Sequence, residues 1–165
     1  MSQWGMTMKW RDTLPLARPS LRRSAAVGGV AGTAYLAAMT ADRWLTGNRY
    51  DDLILWGGLL SRHPVRGRAL GALAHYSLSI GLVALYQAVL PSLPRGPAWL
   101  RGMLFVQVEN LVLYPGVPVL HAIHPMVRSG ELPPLTTWTF FGLEALRHAA
   151  FGLVLGIMIT EDHDG

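Results

Sequence analysis

The chain predicts an all-α integral membrane protein, a four-transmembrane-helix bundle with a short interfacial helix between spans one and two. Three observations carry that expectation. Apolar stretches at 24–45, 69–90, 102–120 and 137–159 each have the length to cross roughly 30 Å of hydrocarbon at about 1.5 Å rise per residue. Of the 165 residues, 51% are hydrophobic and 15% charged, so one compact membrane domain over 24–160 consumes most of the chain and leaves no room for a second. The few ionisable residues inside the stretches recur at helical spacing, although a charge at that depth costs at least about 2.5 kcal/mol.

Residues 1–23 read as a basic and aromatic cytoplasmic leader: Lys9, Arg11, Arg18, Arg22 and Arg23 with Trp4 and Trp10, broken by Pro15 and Pro19. Tryptophan favours headgroups and arginine the anionic leaflet, so both draw this segment to the lipid surface. The first span exceeds a signal-peptide apolar core of about 7–15 residues and is read as permanent. Gly28 and Gly32 stand in GxxxG spacing, which lets helix backbones approach closely in lipid, and the expected role is helix packing.

The connection over 46–68 is too long for a tight turn. Its apolar run at 53–60 is too short to span and predicts an interfacial or re-entrant helix capped near Asp51. Pro91, Pro94, Gly96 and Pro97 make the next connection short and stiff, which predicts that spans two and three are antiparallel neighbours. Span three meets a Tyr114-Pro115-Gly116-Val117-Pro118 break, where it must kink or stop. Span four carries Gly152 and Gly156, a second packing pair, and 161–165 reads as an acidic tail.

Orientation follows from basic residues near the span ends. With a cytoplasmic N-terminus, the inner side holds Lys9, Arg11, Arg18, Arg22, Arg23, Arg95 and Arg101, and the outer side Arg43, Arg49, Arg62, Arg66, Arg68 and Arg128. The dense cluster before span one tips the balance toward both termini in the cytoplasm, in a cell inner membrane. The net charge of +4 therefore reads as a lipid-surface signal, not nucleic-acid binding, which would need basic residues interleaved with aromatics on a folded platform. The absence of cysteine excludes disulfides, thiolate metal sites, iron–sulfur clusters and cysteine nucleophiles.

His75, Glu109, Glu144, Arg147 and His148 form the expected intramembrane polar cluster. Counting along antiparallel spans places His75 and Glu144 about 9–11 Å deep and Glu109 and His148 about 16–17 Å. Glu144, Arg147 and His148 stand at i, i+3 and i+4, so the carboxylate reaches either cation on one helix face, and a paired charge is cheaper to bury than a lone one. Such a cluster serves as interhelical glue, as a proton or ion pathway, or as a metal or heme site. A depth difference of about five residues between His75 and His148 argues against a shared heme. His121 and His124, in H-x-x-H spacing after the proline break, are candidates for a metal or proton-entry site, against the plainer reading of two interfacial histidines. No phosphate loop, nucleophile elbow, H-E-x-x-H or dinucleotide fingerprint occurs, which weighs against an enzyme.

His75, Ser79, Ile80, Gly81 and Tyr86 followed by Pro91, together with His148-Ala-Ala-Phe-Gly-Leu-Val-Leu-Gly156, make the chain resemble the YagU-like small four-span inner-membrane proteins. The matched segments cover spans two and four. The resemblance implies a four-span architecture and no activity. The leading expectation is thus a structural or accessory subunit, or part of a proton, ion or small-solute pathway, with no cofactor. The alternative is a metal- or heme-binding redox membrane protein. The expected partners are the lipid bilayer and either another membrane protein or a second copy of the chain.

Overall fold

Every regular element among residues 17–159, which the computed structural model describes, is helical. The first sixteen residues of the expected leader and the acidic tail lie outside the described residues. Helix α1 (Leu21–Thr46) is capped by Ser20, whose side chain accepts from the Arg23 N–H. It stops at Gly47, whose φ of 67° is the left-handed conformation that glycine adopts without a Cβ penalty. A short helix, α2 (Asp52–Gly57), follows, and the Asp51 side chain caps it by accepting from the N–H groups of Leu53 and Ile54. Helix α3 (Pro64–Val89) begins five residues before the apolar stretch, because His63 caps it and Pro64 suits a first turn whose N–H needs no partner.

Helix α4 (Ala98–Leu113) reaches the proline break and does not end there. One 3-10 turn, Tyr114–Gly116, carries the chain into α5 (Val117–Ile123), with Pro115 and Pro118 each in a first turn where the missing donor costs little. A single turn, α6 (Pro125–Arg128), then leads to α7 (Trp138–Met158), capped by Thr137. Four helices, Leu21–Thr46, Pro64–Ser92, Ala98–Ile123 and Trp138–Met158, are long and apolar enough to cross a membrane.

Helix α1 lies against both α3 and α7, and α7 in turn carries α4. The expectation that α3 and α4 pack as neighbours is corrected: these two have no extended contact and meet through the rings of Tyr86 and Phe105, with centroids 5.1 Å apart. Small residues decide the pairing. A Cβ at Gly28 would lie 2.9 Å from the Ile80 backbone and one at Gly32 would lie 2.8 Å from Ser79 Oγ, so both glycines seat α1 on α3. Gly152 and Gly156 seat α7 on α4, where a Cβ would come within 2.7 Å of Met103 Cα and 2.8 Å of Trp99 Cα, and Gly102 faces them from the other side. No comparable seam joins α3 to α4, because Gly67 and Gly71 of α3 are used by α2: a side chain at Gly71 would strike the Leu53 carbonyl, and one at Gly57 the Gly67 carbonyl. The short helix is therefore more than a surface piece. It is pressed onto α3 with Asp52 and Leu55 buried.

A second, smaller core of Tyr50, Leu55, Leu132, Leu135 and Phe140 closes this end of the bundle. The Tyr50 hydroxyl donates to the Pro134 carbonyl at 2.9 Å and lies 3.0 Å from Thr137 Oγ1, which ties the α1–α2 connection to the start of α7.

Candidate functional site

Four elements deliver ionisable or hydroxyl groups to one buried place. Tyr35 and Asp42 come from the α1 face that also bears Gly28, Gly32 and Met39, at successive steps of three and four residues. Asp52 comes from the first turn of α2, Glu144, Arg147 and His148 from α7, and Glu109 from α4.

Arg147 is fully buried and saturated. Its Nε donates to Asp42 Oδ2 at 2.7 Å and its Nη2 to Asp42 Oδ1 at 3.1 Å, a bidentate pair. Nη1 donates to Asp52 Oδ1 (3.2 Å) and Glu144 Oε1 (3.0 Å), and Nη2 also to the Tyr50 carbonyl (3.3 Å). These five bonds match the five donors of a guanidinium. One side chain thereby fastens α1, α2, α7 and the α1–α2 connection. The expected Glu144–Arg147 pair is present. Glu109 makes no contact with Arg147 and faces His148.

Asp52 and Glu144 each give one carboxylate oxygen to Arg147 and the other to the same phenol. The Tyr35 hydroxyl contacts Asp52 Oδ2 and lies 2.6 Å from Glu144 Oε2. A phenol has one proton and can donate it to one carboxylate only. The second contact is a hydrogen bond only when the other carboxyl group is protonated and donates to the phenol oxygen. With one of the two carboxyl groups protonated, the Asp52–Tyr35–Glu144 chain has two ways of arranging its hydrogens, related by moving protons along it.

His148 adds a second such pair. Its Nδ1 lies 2.8 Å from the Glu144 carbonyl, which can only accept, so Nδ1 carries a hydrogen. Its Nε2 lies 3.4 Å from Glu109 Oε2, longer than a normal hydrogen bond. One proton suffices for either arrangement, imidazolium facing carboxylate or neutral imidazole facing carboxylic acid. His148 Nδ1 is also 4.0 Å from Glu144 Oε2, so the two proton-sharing groups adjoin. Glu109 and His148 keep 23% and 18% side-chain exposure, whereas Arg147 has none, so this arm is the accessible part of the cluster.

His75 Nε2 lies 3.0 Å from the Gly32 carbonyl, an approach that the missing Cβ of Gly32 permits, and the ring packs against Tyr35 at 5.1 Å with the planes inclined by 48°. His148 meets the same Tyr35 ring edge-on at 5.3 Å. The two histidines thus flank one side chain. With α3 starting at Pro64, His75 is the twelfth residue of its helix and His148 the eleventh of α7.

His121 and His124, the candidate metal or proton-entry pair, bond to different backbone groups. His124 is fully buried, its Nε2 lies 2.8 Å from the Leu55 carbonyl of α2, and its Nδ1 accepts from the Met126 N–H at 3.2 Å, so both ring nitrogens are engaged by backbone groups. His121 turns elsewhere and accepts from the Leu135 N–H at 3.1 Å. Among the described residues, no group of three or more His, Asp or Glu side chains is arranged to hold a metal ion.

Tyr35, Asp42 and Asp52 were not apparent as site residues. A usable signal existed for two of them: continuing the Gly28–Gly32 face by helical spacing reaches Tyr35, Met39 and Asp42. Asp52 gave none, since an acidic residue at the start of a short helix reads as a capping residue. No protein family matches the chain, nor does any curated protein or solved structure.

Proposed function

We propose that this chain is a multi-pass protein of a cell membrane, with both termini cytoplasmic, and that it carries protons through the Asp52–Tyr35–Glu144–His148–Glu109 chain as part of a transport pathway. Membrane insertion is supported by four helices of spanning length and by the large apolar side chains they turn outward, among them Leu73, Leu78, Leu104, Val108, Leu146 and Ile157. Exposed Trp44 and Trp138 at one end of the bundle and Trp99 at the other suit the two headgroup belts. The observation that carries the proton reading is the buried Tyr35 hydroxyl held between two carboxyl groups, because a phenol so placed can pass a proton from one to the other. Asp52 faces the cluster, whereas its neighbour Asp51 is buried and pairs with Arg43 at 2.6 Å beside the cleft at this end of the bundle.

A structural or accessory role is the second reading, and saturated Arg147 favours it, since a guanidinium with no spare donor fixes helix positions. Proton flux into liposomes separates the two. With an imposed potential and an enclosed pH-sensitive dye, the wild-type protein should acidify the lumen faster than protein-free liposomes. Tyr35→Phe and Glu109→Gln should each reduce the rate by at least about tenfold, a size ordinary for loss of one proton-transfer group. Wild-type flux no greater than the lipid background would rule out an autonomous proton path and leave the structural reading.

A further inference from the structure

The cluster does not use the arginines at the α2 end of the bundle. Arg43, Arg49, Arg62 and Arg68 line an open cleft of about 290 Å³ between the end of α1, the start of α3 and the segment after α6. That volume sits near the lower limit of small-molecule sites, about 300–1,000 Å³, and suits a compact ligand or headgroup. The acidic residues lining it are Asp51 and Glu131, so the cleft carries an excess of two positive charges, before counting His63.

Those two carboxylates are already committed. Asp51 Oδ2 takes Arg43 at 2.6 Å and Arg68 at 3.3 Å, and Glu131 Oε1 accepts from Ser129 Oγ at 2.6 Å. Among the described residues, Arg49 and Arg62 have no carboxylate partner. Each is anchored through Nη2 alone to backbone carbonyls: Arg49 to Gly130 (3.3 Å) and Glu131 (3.0 Å), Arg62 to Pro125 (3.1 Å). Anchoring by one nitrogen positions the guanidinium and leaves the remaining N–H groups as donors. Ser61 adds a hydroxyl, and the N-terminal end of the 26-residue α3 adds partial positive charge from the same wall.

The geometry points to a phosphate-binding site in this cleft, with Arg49 and Arg62 as the principal ligands and Arg68 and Ser61 in support. Planar guanidinium groups lining one small cleft, each with free donors, suit a tetrahedral oxyanion with several acceptor oxygens. Either a free phosphate or the phosphodiester of an anionic lipid presents this chemistry. The inference is independent of the proton pathway, since it involves none of the relay side chains.

The full-length protein in a neutral detergent should be stabilised against heat by millimolar inorganic phosphate and not by equal ionic strength of chloride. In nanodiscs of mixed phosphatidylcholine and phosphatidylglycerol, native mass spectrometry should show phosphatidylglycerol retained if the physiological ligand is a headgroup. Stabilisation by phosphate without lipid retention would assign the site to a free phosphate. The Arg49→Gln/Arg62→Gln variant should weaken the observed binding at least about tenfold, as expected for loss of charge-assisted hydrogen bonds. Arg66→Gln/Arg128→Gln removes the same charge from exposed residues at the same end outside the cleft and should leave binding unchanged. Absence of both phosphate and lipid binding would overturn the site, as would equal weakening by both double variants, which would reduce it to diffuse charge. Melting without ligand verifies that both variants fold.

Discussion

Two halves of the molecule solve the burial of charge in opposite ways. Around Arg147 every donor has an acceptor, one carboxylate is gripped by two nitrogens, and the helices that supply the groups are locked by close backbone contact along α1–α3 and α4–α7. Around His148 and Glu109 the facing atoms stand 3.4 Å apart and both side chains are partly exposed, although the helices that bear them, α7 and α4, share a glycine seam. The difference teaches that the same residue types, acids beside a base, make a fixed joint when donors and acceptors balance. They make an exchangeable one when the protons can be arranged in two ways. Glu144 belongs to both, with one oxygen on Arg147 and the other on Tyr35.

The contrast is broken most forcefully at Arg147. Arg147→Met leaves Asp42, Asp52 and Glu144 without their cation and should cost about 3–5 kcal/mol of folding stability in a detergent unfolding titration. Combining it with Asp42→Asn should recover part of the loss, and the coupling should exceed that with Glu144→Gln, because Asp42 takes two nitrogens and Glu144 shares one with Asp52. Equal coupling to both partners would mean that the bidentate pair is no special joint.

The locked side is sharpened by glycine. Gly102→Ala places a methyl group against the backbone of Gly152 and Gly156 and should cost about 1–3 kcal/mol, the range for overpacking. Gly81→Ala, in the middle of α3 with nothing within 4 Å of the new atom, should be neutral or gain up to about 1 kcal/mol from helix propensity. The same unfolding titration reads both, and a matching loss at the two positions would show that helix spacing does not set the cost.

The spans were legible because hydrophobic length is written locally, and so were the glycine pairs, because small residues four apart mark a close-packed face. The cap at Asp51 was legible for the same local reason. Partnering between helices was not. The stiff Pro91–Pro97 turn suggests adjacent α3 and α4, yet the depth of contact that Gly102, Gly152 and Gly156 permit draws α4 to α7 instead. Asp42 and Asp52 escaped notice because each stands near a helix end, where acids are common. Only the requirement that a buried Arg147 be surrounded by carboxylates singles them out.

The smallest effect on stability is expected at Glu109, and it is the one that separates a joint from a relay. Its Oε2 lies at the edge of His148 with no hydrogen bond of normal length, and its side chain is 23% exposed. Interhelical polar contacts in membranes average about 0.6 kcal/mol, so Glu109→Gln should cost less than about 1 kcal/mol in the unfolding titration. The amide keeps the shape and a hydrogen-bonding oxygen but cannot take up and release a proton at neutral pH. Glu109→Asp should fold as well and retain measurable flux, because it keeps the carboxyl group at a slightly greater distance. A loss of several kcal/mol on Glu109→Gln would place Glu109 in the fixed half with Arg147, and the distinction between the two halves would fail at the residue meant to define it.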